Sequence, residues 1–133
     1  MRNAKEIYQE LDIQIGREQT VIEFFVAPTN RSLPGSDETV ETCRNRIAEL
    51  TKICKIFQNY KQLDENGLFG EFTLDMLKEA ERFCSSEKER YYKIVTDSIH
   101  GSNNYINIIP NTDMVIVYME ADIYLMRLIA LWS

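Results

Sequence analysis

The chain has 133 residues, 44% of them apolar, and a net charge of −6 from 15 basic and 21 acidic groups. That length suits a single compact helical domain over residues 1–133, and that apolar share fills a core, which excludes a disordered chain. The acidic balance argues against a surface built to neutralise phosphates, and 3 Pro and 5 Gly favour long regular elements over many turns.

The first element is expected over 4–27. Ala4, Ile7, Leu11, Ile15, Ile22 and Phe25 keep a helical spacing with a weak point at Gly16, where two shorter pieces are the alternative. Pro28 stops it, because a proline there removes a hydrogen bond and crowds the preceding turn. A polar loop leads to Ser36, read as the N-cap of a second helix near 37–62, with Asp37 and Glu38 at the positive end of its dipole. Val40, Cys43, Ile47, Leu50, Cys54 and Phe57 recur in steps of three and four, a single apolar stripe. Ile47 and Leu50, in mid-stripe, are expected to be almost fully buried.

A third helix is expected near 72–99. Phe72, Leu77, Ala80, Phe83 and Cys84 form its inner face, and Tyr91, Ile94 and Val95 resume it. The six polar residues Ser85–Arg90 between them lack Gly and Pro, so they read as a solvated stretch of one continuous helix. His100–Asn104 is a loop. Beyond it, Tyr105–Ile109 and Met114–Met119 are β-branched and aromatic runs around Pro110-Asn111-Thr112-Asp113, the pattern of a β-hairpin. A short helix from Glu120 would follow. The competing reading is one helix over 111–132, which places Asp122 about 180° from the face shared by Asp113, Glu120 and Arg127, among apolar residues. The fold expected is therefore mostly α, three long helices with a C-terminal hairpin and short helix, and an all-α four-helix bundle is the alternative.

Chemical motifs are sparse. Cys43, Cys54 and Cys84 are odd in number and form no CxxC pair; Cys43 and Cys54 lie roughly 16 Å apart along one helix, too far to bridge. They read as reduced, buried thiols of a cytoplasmic protein. The N-terminus lacks the apolar run of a signal peptide, and Glu120, Asp122 and Arg127 interrupt the apolar Met114–Trp132 segment, so no membrane contact is expected. One histidine, His100, supplies no metal set, and nothing calls for a cofactor. Asp64-Glu65-Asn66-Gly67 fails as a calcium loop, because Thr73 stands where a bidentate Glu is required. Asn66–Thr73 resembles, over some eight residues, the turn of peptidoglycan-binding repeats; without the flanking pattern it is read as a tight turn.

These features favour a small acidic interaction protein, an adaptor, inhibitor or regulator that binds another protein through a helix face. Tyr91 continues the core stripe of the third helix, so Tyr92 should point outward. With Lys88 and Lys93 it forms the expected partner site, an aromatic ring among long charged stems. The apolar surface also admits a homodimer. An alternative is an enzyme or small-molecule binder with Glu120 or Asp122 beside Tyr105 or Tyr118 in the core. A third is a nucleic-acid-associated protein using the Arg44 helix, although Glu41 and Glu49 share that helix and no nucleic acid is expected.

Overall fold

The computed structural model describes residues 1–67, 70–101 and 108–133. Its helices are α1 (Ala4–Val26), α2 (Ser36–Gln58), α3 (Tyr60–Asn66), α4 (Leu74–Gly101) and α5 (Ile108–Trp132). The described residues contain no strand. The all-α alternative therefore fits: four long helices, with α3 as a short continuation of α2.

α1 is one piece through Gly16. Its start is fixed by a capping box, in which Asn3 Oδ1 accepts from Glu6 N at 2.8 Å and Glu6 Oε1 accepts from Asn3 N at 3.2 Å. It ends before Pro28, as the proline requires. The start of α2 differs from expectation. Gly35, at φ 75°, is the N-cap, and Ser36 is the first helical residue. Ser36 is buried and its hydroxyl donates to Arg31 O at 2.8 Å, tying the loop down instead of capping the helix. α2 also ends earlier than expected, at Gln58, where the side chain of the C-cap Asn59 donates to Lys55 O at 2.8 Å.

The polar run Ser85–Arg90 stays helical within α4, which Thr73 caps by accepting from Met76 N at 3.2 Å. It is not wholly solvated, because Glu87 turns inward and is buried. The expected hairpin is corrected: Met114–Met119 lies inside α5, and Ile108–Ile109 opens it. Tyr105–Asn107 falls outside the described residues. Two causes explain the misreading. Pro110 sits in the first turn, where its missing N–H is an orphan anyway. Asp122 lies at the edge of α5 beside α4, half-buried, where Glu81 can hydrogen-bond to its protonated form, so the burial cost that disfavoured a helix is met by raising its pKa.

α1 packs chiefly on α2, and α4 chiefly on α5. The molecule is thus two helical hairpins. They share a core of Ile7 and Leu11 of α1, Leu50, Ile53, Ile56 and Phe57 of α2, Leu77 and Cys84 of α4, and Val117, Tyr118, Leu125 and Leu128 of α5. Val40 and Cys43 are buried outside this cluster, and Ile47 is only half-buried. The N-terminus straps α5: Arg2 N donates to Glu120 Oε2 at 2.9 Å, the Arg2 guanidinium donates to Asp113 at 2.5 Å, and Tyr124 OH donates to Arg2 O at 2.6 Å.

Candidate functional site

α4 presents two faces at its middle. Tyr91 stacks on Tyr118 of α5, with ring centroids 5.8 Å apart, and the Arg90 guanidinium lies 4.3 Å from the Tyr91 centroid. One residue on, at about 100° around the helix, Tyr92 is 59% exposed. Lys93 is exposed and Lys88 half-buried. The sequence thus placed the inward and outward rings where the structure has them. Ile99, two turns beyond Tyr92 on the same face, is also exposed.

That face borders a feature the sequence reading did not find. Along α5, Ile109, Thr112, Ile116, Met119, Ile123, Met126 and Ala130 are all exposed. Their steps alternate three and four, the spacing of a coiled-coil seam. At about 100° per residue the five large apolar ones occupy an arc of about 100°. The opposite side of α5 carries Val117, Tyr118, Ala121, Leu125 and Leu128 into the core. α5 is therefore apolar on both faces, although only one face is covered. The periodicity was present in the sequence; assigning Met114–Met119 to a strand hid it.

Between these faces lies a carboxyl pair. Asp122 of α5 faces Glu81 of α4, with Lys88 near by. Burial pushes the Asp122 carboxyl up to about 6, the hydrogen bond and like charge of Glu81 add to the shift, and Lys88 opposes it. Asp122 Oδ1 is buried and finds no donor. Ionised carboxylates only accept, so a proton held between the two acids satisfies this pair. The other residues of the acid-and-tyrosine reading are separated. Glu120 is buried against Arg2, with its second oxygen 3.8 Å from the guanidinium, and serves the N-terminal strap. Tyr118 is fully buried between Phe83 and Tyr91. Tyr105 lies outside the described residues.

Clefts occur elsewhere. One of about 620 Å³ is lined by Phe25, Val26, Arg31, Asp37, Val40 and Arg44, and another of about 380 Å³ by Ala4, Tyr8, Phe57 and Tyr60 among others. Neither Tyr118, Glu120 nor Asp122 lines them. On the Arg44 helix, Arg46 lies 3.9 Å from Glu18 and 3.5 Å from Glu87, so its charge is already met by acids. The three cysteines are free and buried; burial pushes the Cys43 thiol up to about 11 and the Cys54 thiol up to about 12. Among the described residues no group of His, Cys, Asp and Glu is placed to hold a metal ion, and no helix is long and apolar enough to cross a membrane. The chain matches no family model, and no curated protein and no solved structure matches it.

Proposed function

We propose that this chain is a small interaction protein whose binding surface is the outer face of the α4–α5 hairpin. One observation carries the reading: a regular stripe of large apolar side chains on α5 stands open to water, from Ile109 at 79% exposed to Met126 at 55%. A lone exposed apolar residue needs no explanation, but a contiguous patch rimmed by charge marks a contact surface. Tyr92 and Ile99 extend the patch onto α4, and Lys88, Lys93, Asp113 and Arg127 edge it.

The test is capture from the native host with Tyr92→Ala beside the unaltered chain. The exposed ring makes little use of the core, so the variant should keep its folding stability within about 1 kcal/mol. It should also hold its partner less well. If Tyr92→Ala folds and recovers everything the unaltered chain does, in the same yield, Tyr92 is no part of the surface.

A further inference from the structure

We infer that the occupant of the α5 stripe is a second copy of this chain, packed antiparallel about a two-fold axis at the level of Ala121. This deepens the interaction reading above and rests on it.

The register follows from the spacing. In an antiparallel pair of helices, residues of one seam meet those whose numbers mirror them about the axis. Ile116 of one copy then lies opposite Met126 of the other, and Met119 opposite Ile123, in each case a stiff β-branched side chain against a flexible one. The small residues Thr112 and Ala130 also fall opposite each other. No large side chain meets another of the same shape.

Charge selects this orientation. Asp113 and Arg127 flank the same edge of the stripe, and their side chains are 47% and 64% exposed. Antiparallel packing brings like edges together, so Asp113 of each copy faces Arg127 of the other, within about 3 Å of level along the axis. Within one chain Asp113 already pairs with Arg2, and Arg127 Nε lies 3.1 Å from Asp64. The dimer would join these into a row of alternating charge, Arg2–Asp113–Arg127–Asp64, on each side of the axis. A parallel pair satisfies Arg127 alone, against Asp122, and leaves Asp113 against Ile108. On the opposite edge the Asp122 side chains of the two copies approach; each stands beside Lys88 of its own α4, which offsets the like charge.

The surface is also large enough. A standard interface covers about 800 Å² on each partner. Five large apolar side chains on α5, with Tyr92 and Ile99 of α4 beside them, offer apolar surface on the order of that requirement. Bilayer surfaces fit less well, since the chain carries −6 and both edges of the stripe bear carboxylates.

The experiment combines mass in solution with disulfide trapping. Sedimentation equilibrium from micromolar to millimolar protein should give twice the chain mass of 15.6 kDa. Ile123→Glu, at a position 46% exposed, should return the single-chain mass with an unchanged helical circular dichroism spectrum. An oxidised mixture of Ile116→Cys and Met126→Cys chains, one of them tagged, should cross-link to each other. Neither should cross-link to itself, since like positions lie about 15 Å apart along the axis. The native thiols, all buried, should not interfere. A single-chain mass at every concentration overturns the dimer, and self-cross-linking of each variant overturns the antiparallel register. If the chain is monomeric yet Ile123→Glu loses a captured protein, the stripe serves a different chain and only the self-association fails. If it is monomeric and capture is unchanged, the interaction surface fails with it.

Discussion

Asp122 shows how one side chain decides the reading of a whole segment. As a buried, unpaired carboxylate it would break a helix; as half of a proton-sharing pair with Glu81 it is tolerated at a helix–helix edge. Its carboxyl is raised to about 6 in the fold, above its ordinary value of 3.8. A raised acid binds its proton more tightly in the folded state. Its stabilising contribution is therefore complete below about pH 4 and is lost as the pH rises through about 6. On α4, Glu81 favours the proton and Lys88 opposes it. Asp122→Asn should remove this loss. Chemical denaturation should find the variant more stable than the unaltered chain at pH 7, by about 1 kcal/mol because the half-exposed site is partly screened. The gap should close or reverse at low pH. A gap that does not change with pH would mean that the Asp122 carboxyl is not raised in the fold.

At the scale of elements, the stripes in α2 and α4 were legible and the nature of α5 was not. α2 and α4 carry charged residues over much of their surface outside the buried face, so a period near 3.6 stands out against charge. Leu50, 1% exposed in mid-stripe, tests that reading: Leu50→Ala should cost about 2–5 kcal/mol in chemical denaturation, a transfer term plus a cavity term. A loss under about 0.5 kcal/mol would place the residue outside the core. Ile53 and Ile56 are buried as well, off the stripe drawn from the sequence, because α2 packs on α4 and α3 as well as on α1 and so buries more than one arc. α5 defeated the same method. Apolar on nearly every side, it shows no contrast between faces, and a run such as Met114–Met119 then reads as a strand from its β-branched content. The outward position of Tyr92 was legible because its helix was, and the exposed α5 stripe was missed because its helix was not.

The whole molecule is two hairpins that share an apolar core and are joined by polar contacts, the Arg2 strap at one place and Arg46 at another. Arg46 of α2 reaches Glu18 of α1 at 3.9 Å and Glu87 of α4 at 3.5 Å, and Arg90 grips Glu87 at 2.7 Å. Glu87 is only 6% exposed, so its charge depends on these two guanidinium groups. Arg46 spans from one hairpin to the other, whereas Arg90 sits on the same helix as Glu87. The Arg46–Glu87 pair should therefore act as a link between the hairpins and not as local helix decoration. A double-mutant cycle with Arg46→Ala and Glu87→Ala separates the two. Glu87→Ala alone should cost about 1–3 kcal/mol, from lost charged hydrogen bonds in a dry seam. The double variant should fall short of the sum of the singles by about 0.5–3 kcal/mol, the range for groups in one network. Strict additivity would mean that Arg46 and Glu87 are not coupled and that this pair does not link the hairpins.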